Sequence, residues 1–303
     1  MTALKLPRVR PRFPLGAPTW PGAVPRPPAE RTTGVNFDTE WARSYPARLA
    51  RVLYVEGVSR PLMQVLASPD VDGLDRLEAL PAPAIFAANH SSHVDTPLML
   101  TSLPERFRHR TVVAAGADYF FDKRWKGALW ALSINAIPVE RVRVSPQSTK
   151  LAVSLIEDGW SLVIFPEGGR TPDGWGQSHR AGAAYLALRT KAPVVPVHLF
   201  GTRRILKKGA KGLPRPARTE VTFGSPLRAA EGESAHALAA RIETAIAVLA
   251  DERSAGYWEA RRRAAAGATP VLTGPAAAGW RRAWALDENR RRTGTTRRWP
   301  PGF

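Results

Sequence analysis

Asn89-His90-Ser91-Ser92-His93-Val94-Asp95 sets an imidazole and a carboxylate with four residues between them. Imidazole is the side chain best suited to general-base work near neutral pH. A carboxylate bonded to its other ring nitrogen fixes the tautomer and stabilises the imidazolium that forms. His90 and Asp95 would then be two-thirds of a triad, with a substrate hydroxyl as the nucleophile. Taken alone, the pair has a plainer reading: a loop histidine beside an Asp that caps the next helix.

A second constellation is Phe165-Pro166-Glu167-Gly168-Gly169-Arg170-Thr171. Its glycines allow close approach of backbone to a ligand. Arg170 offers a planar donor fork suited to phosphate, and Glu167 is placed to fix a hydroxyl or Arg170 itself. The plainer reading here is an ordinary strand-exit turn. Ile137-Pro138-Val139-Glu140-Arg141 ends a short strand with a cation, and Val195-Pro196-Val197 lies on a late strand leading to Gly201-Thr202. His93 stands three residues from His90, but no third ligand follows at metal spacing, so no metal site is expected.

These residues need a frame that brings strand ends together. Short apolar runs predict buried strands over 84–88, 111–115, 137–139, 162–165, 194–199 and 220–223. Helical patterns alternate with them over 124–132, 145–159, 181–189 and 234–249, and Asp95-Thr96-Pro97 looks like a helix start with Asp95 as its cap. Strands alternating with helices mean an α/β fold, a mixed, mostly parallel central sheet flanked by helices. That domain is expected over 80–252. Before it, residues 36–79 predict an amphipathic helical segment, broken at Pro46 and Pro61, whose Arg43, Arg48, Arg51 and Arg60 suit an interfacial helix as well as one packed on its own domain. Residues 1–35 read as a disordered basic, Pro-rich arm and 253–303 as a basic Arg/Trp-rich tail.

Among 303 residues there is no cysteine, which removes disulfides, thiolate metal sites and a cysteine acyl-enzyme. The formal net charge of +18 is a statement about partners. Nucleic acid and an anionic membrane surface are the two polyanions to consider, beside a compositional bias toward Arg. No run reaches the ~18 apolar residues that cross a bilayer, and no apolar stretch follows Lys5, Arg8, Arg10 and Arg12 as a secretory signal would require. No G-x-S-x-G elbow, G-x-x-x-x-G-K-[ST] or G-x-G-x-x-G is present, so a serine esterase and the nucleotide-binding motifs lack support. A basic nucleic-acid-binding protein remains as an alternative of another class, resting on charge and the Arg/Trp tail, with no recognition motif behind it.

The order NHSSHVD, IPVER, FPEGGRT and VPVHLFG resembles the four-block signature of the glycerolipid acyltransferases, in particular the 1-acylglycerol-3-phosphate acyltransferases, over roughly residues 80–225. The resemblance implies an O-acyltransferase of phospholipid biosynthesis, with acyl-CoA or acyl carrier protein as co-substrate and no cofactor. The acceptor it implies is lysophosphatidic acid (1-acylglycerol-3-phosphate) or a related lysolipid, with glycerol-3-phosphate or a glycolipid as alternatives. Carried over by motif, His90 is the base and Asp95 its partner, while Arg141, Glu167, Gly168 and Arg170 bind the acceptor and Pro196 belongs to the fourth block. Asn135, Gly169 and Arg180 depart from the family's usual Gly, Thr and Lys. Backbone N–H groups of the first-block turn are the expected oxyanion donors. The expected place is cytoplasmic, peripheral on the inner face of the cell membrane, with an anionic membrane surface as partner and no specific nucleic acid.

Overall fold

A computed structural model of the chain describes residues 33–140, 146–210 and 212–274. Helix α1 (Tyr45–Tyr54), a π turn (Val55–Ser59) and α2 (Arg60–Ala67) lead into β1 (Pro69–Asp72) and the one-turn helix α3 (Asp75–Glu78). Then come β2 (Ile85–Ala88), α4 (Asp95–Ser102), α5 (Glu105–Arg108), β3 (Thr111–Gly116), α6 (Ala117–Phe120), α7 (Arg124–Ile134) and β4 (Ala136–Val139). The chain continues through α8 (Pro146–Glu157), β5 (Ser161–Ile164), α9 (Gly182–Thr190), β6 (Val194–Phe200) and α10 (Thr202–Ile205). It closes with β7 (Thr219–Phe223), α11 (Ala235–Ala255) and α12 (Tyr257–Ala265).

The strands form one sheet in the order β1-β7-β6-β2-β5-β3-β4. Every neighbouring pair is parallel except β6 with β7, so the expected mixed, mostly parallel sheet is what forms. β2 sits inside it with Ile85, Phe86, Ala87 and Ala88 all fully buried, as a strand covered on both faces requires. Side-chain alternation divides β2 between two cores. Phe86 and Ala88 join Phe107, Phe223 and the inner residues of α4 on one face. Ile85 and Ala87 join residues of α8, α9 and α11 on the other.

The segment before the sheet is helical from Tyr45 to Ala67. Ala47, Arg51, Val55, Ser59, Met63 and Ala67 are buried at a strict spacing of four. Four residues overshoot one α-helical turn by about 40°, so such a stripe winds round a regular helix, and the wider turn at Val55–Ser59 takes up part of that drift. It also explains why Pro61 does not break the helix, contrary to expectation. A π turn lengthens the hydrogen-bond step and relieves the contact between a proline ring and the carbonyl four residues back. Pro46 stands in the first turn of α1, where its missing N–H is harmless. The opposite side exposes Tyr45 (77%), Leu53 (66%) and Val65 (73%), with Leu49, Val58 and Leu62 between them. α7 packs beside α1 and adds exposed Trp125 and Leu129.

Arg51, read from sequence with the other arginines of an interfacial helix, is turned inward. Its guanidinium donates to the carbonyls of Leu132 (2.9 Å), Ala131 (3.0 Å) and Ala42 (2.5 Å). It thereby satisfies carbonyls of the last turn of α7 that have no partner within the helix. Burial, together with the charges of Arg43 and Arg48, brings its pKa down to about 10.

Candidate active site

The carboxyl ends of the central strands β5, β2 and β6 converge, the usual place for a ligand in an open α/β sheet. At the end of β2, Asn89 continues the pairing with β6 through its side chain: Nδ2 donates to Leu199 O (2.9 Å) and Oδ1 accepts from Leu199 N (2.7 Å). The chain then turns, and His90 Nδ1 lies 2.8 Å from Asp95 Oδ2. The imidazole stacks on Phe165 from the end of β5, with ring centroids 4.1 Å apart and planes 19° from parallel. Nε2 is thus the ring nitrogen not held by Asp95.

Asp95 is fully buried. It was expected to cap α4, but Val94 holds the cap position and Asp95 is the first helical residue. Its carboxylate folds back instead, and Oδ2 also accepts the N–H groups of Ser91 (2.6 Å) and Ser92 (2.8 Å). Three donors on one oxygen fix a carboxylate that burial would otherwise make costly, and they lock the geometry of the turn to that of the ring.

The third block closes round the first. Glu167, 3% exposed, accepts the N–H of His90 on Oε1 (2.8 Å) and that of Gln177 on Oε2 (2.9 Å). Thr171 N donates to the carbonyl of His90 at 2.9 Å. Both backbone polar groups of His90 are therefore held by residues 77 or more positions later. Gly168 has φ +71°, a backbone conformation that favours glycine. On the other side, Ser91 Oγ meets Thr202 Oγ1 at 3.0 Å and Ser92 Oγ donates to Leu206 O at 2.7 Å.

This bonding narrows one expectation. The N–H groups of His90, Ser91, Ser92 and Val94 all have acceptors inside the corner, which leaves the N–H of His93 as the one between them without an acceptor among the described residues. Gly169, in the third block, has an N–H without an acceptor among the described residues.

His93 does not join His90 as a metal ligand pair; among the described residues no group of three His, Cys, Asp or Glu is placed to hold a metal. Its ring stacks on Tyr119 at 5.8 Å and meets the edge of Phe120. Burial, reinforced by the charges of Arg170 and His90, pushes its pKa down to about 4. His93 is accordingly neutral at pH 7, and Arg170 lies close enough to be felt there. The Tyr119-Phe120 pair escaped sequence reading because it follows β3, far from every block. Pro196 is buried in β6 opposite Ala87. Arg141 lies outside the described residues, as do the arm up to residue 32 and the basic stretch after residue 274.

A histidine paired with a buried carboxylate at a strand end is a general-base arrangement, and comparison gives the class. The chain matches the acyltransferase family model over residues 69–199. Its relatives are narrower in kind. It is 28% identical over 166 residues to the chloroplastic 1-acyl-sn-glycerol-3-phosphate acyltransferase BAT2 of Brassica napus, covering 52% of this chain and 44% of the relative. It is 29% identical to the chloroplastic enzyme LPAT1 of Arabidopsis thaliana (54% and 45%) and 29% identical to the 1-acyl-sn-glycerol-3-phosphate acyltransferase of Bacillus subtilis (51% and 72%). The chain thus spans under half the length of the two plant relatives. The crystal structure of the 1-acyl-sn-glycerophosphate acyltransferase PlsC from Thermotoga maritima superposes with TM-score 0.50 at 23% identity, covering 69% of this chain and 81% of that one. It has the same fold.

Proposed function

We propose that the chain is a 1-acylglycerol-3-phosphate O-acyltransferase. It moves a fatty acyl group from acyl-CoA or acyl carrier protein to the sn-2 hydroxyl of lysophosphatidic acid, giving phosphatidic acid for phospholipid biosynthesis. The observation that carries this reading is the His90–Asp95 contact of 2.8 Å, held at a strand end and tied to the third block through Glu167.

Asp95 keeps the Nδ1 proton of His90 in place and leaves Nε2 to accept the proton of the acceptor hydroxyl as its oxygen attacks the thioester carbonyl. The tetrahedral oxyanion takes a hydrogen bond from a backbone N–H, for which those of His93 and Gly169 are available. The thiolate leaves and His90 returns the proton. General-base action is worth about 10² to 10⁴ in rate, and positioning supplies much of the rest. Arg170 and Arg141 receive the acceptor's phosphate, with Gly168 shaping the loop that presents Arg170. Glu167 acts by holding the His90 backbone.

The apolar side of α1 and α2, continued by Trp125 and Leu129, is the surface through which the enzyme lies on an anionic membrane. Among the described residues no helix is long and apolar enough to cross one. The reading places the enzyme in the cytoplasm, peripheral on the inner face of the cell membrane.

The test is an acyl-transfer assay with purified protein, acyl-CoA or acyl carrier protein thioester, and 1-acylglycerol-3-phosphate, run beside His90→Ala. Phosphatidic acid from the parent and not from the variant supports the reading. A folded parent that makes none with either donor removes this acceptor, and product from His90→Ala at the parent's rate removes the mechanism.

A further inference from the structure

Beside the first block lies a cavity of about 620 Å³. Asn89 and Ser91, the two chain neighbours of His90, open onto it; His90 itself and Arg170 do not line it. Its size falls within the range of small-molecule sites, about 300–1,000 Å³.

The wall is cationic. Arg203 and Arg204 of α10, Lys207 just after it, and Arg253 of α11 all line the space. Arg203 is anchored by its Nη1 donating to the carbonyl of Pro172 at 3.0 Å. Arg204 and Arg253 stand against the ring of Phe200, at 5.0 and 3.2 Å from its centroid. Two carboxylates also border the cavity, and both have partners: Glu167 accepts two backbone N–H groups, and Asp251 Oδ1 is 2.9 Å from Arg263. Arg253 bridges to Glu220 at 2.8 Å. Formal charge on the lining is therefore positive, with Arg204 and Lys207 exposed at the rim. His198, 7% exposed, completes the wall with a ring Nδ1 that has no partner among the described residues.

Guanidinium forks and an ammonium on the wall of a pocket are the donor set that recognises phosphate. We propose that this cavity is a binding site for phosphate esters, and that the phosphates of CoA in the thioester donor are its source. The second half of that statement rests on the acyltransferase reading. Two substrates must reach His90 by different approaches, and Arg170, assigned to the acceptor's phosphate, lies outside this cavity. A second, separate set of cations next to Ser91 leaves the donor as the ligand still without a site.

The experiment reads binding without turnover, so failure to transfer acyl groups and failure to bind CoA are separate results. The full chain is titrated by calorimetry with CoA, pantetheine, inorganic phosphate and phosphatidic acid vesicles at one ionic strength. The double variant Arg204→Glu/Lys207→Glu is compared with the charge-matched Lys150→Glu/Lys191→Glu, whose lysines are exposed elsewhere, and folding is checked by circular dichroism. The expected result is CoA binding at least tenfold weaker in the first variant and unchanged in the second. Pantetheine, which lacks phosphate, binds at least tenfold more weakly than CoA, and inorganic phosphate competes with CoA on the parent protein whatever the variants do. CoA affinity equal in parent and both variants, or pantetheine equal to CoA, overturns the proposal. Loss of vesicle binding alone in the first variant overturns the assignment to CoA and makes a lipid headgroup the source.

Discussion

The corner at the end of β2 and the helical platform of α1 and α2 treat their side chains in opposite ways. In the corner, Asp95 and Glu167 are almost wholly buried, and Asp95 Oδ2 and both Glu167 oxygens are matched to named N–H groups. On the platform, Tyr45, Leu53 and Val65 are each about two-thirds or more exposed among the described residues. Proton transfer tolerates displacements of a few tenths of an ångström, so its residues must be over-determined. Contact with a lipid surface needs apolar area and tolerates a shifted side chain. A damaged corner should therefore fail on every substrate, and a damaged platform only on substrates presented in a membrane.

His90→Ala is the sharpest probe of that division. Turnover should fall more than about a hundredfold on vesicle-borne and on short-chain soluble acceptors alike, with vesicle co-sedimentation unchanged. Residual activity above a tenth of the parent's would dissolve the distinction. Leu53→Glu with Leu62→Glu should do the reverse. Each leucine contributes about 1.5–3 kcal/mol on full burial, so binding to anionic vesicles should weaken tenfold or more while turnover on short-chain acceptors stays within twofold. Equal losses in both assays would show that the platform is part of the folded core.

Glu167→Gln tests how the corner is held. One amide hydrogen must face a backbone donor in a nearly closed site, so unfolding free energy should drop by about 1–3 kcal/mol, with turnover down roughly tenfold. If the residue acts on the His90 backbone, kcat falls and KM for the acceptor holds; a rise in KM alone would make it a substrate contact instead. The smallest effect concerns pH. Burial and Arg253 push His198 from 6.5 down to about 4. The unfolded chain binds that proton below about pH 6.5 and the folded protein refuses it, so this contribution is whole above pH 6.5 and is lost as pH falls towards 4. Thermal midpoints at pH 7.5 and pH 5 should draw closer together in His198→Gln than in the parent, and an unaltered gap would count against the assignment.

Much of the sheet could be read from residues because its central strands are short apolar runs with no competing pattern. β1 could not: Pro69-Asp70-Val71-Asp72 carries two carboxylates and a proline, tolerable only because it is an edge strand with every second residue exposed. α12 was hidden by its own arginines. Arg261, Arg262 and Arg263 read as a charged tail, yet Ala260 is fully buried and Arg263 reaches back to Asp251 on α11. His90 and Asp95 were legible because their chemistry lies within six consecutive residues. The bonds from Glu167 and Thr171 to the His90 backbone were not, since a backbone N–H leaves no mark in a sequence. The same holds for the platform, whose share from α7 lies far along the chain and meets α1 only through packing.

The π turn at Val55–Ser59 has a meaning in gene length. It carries one residue more than an α turn, so the helix holds a spare codon. Removing Gly57, which has open space where a Cβ would be, should let the turn close to an ordinary α turn with both flanking helices still in phase. Removing one residue from the middle of α1 instead would rotate its first turns by about 100° relative to the rest and carry Tyr45 and Leu49 off the exposed face. Length variation in this helix should accordingly be tolerated at 55–59 and resisted on either side.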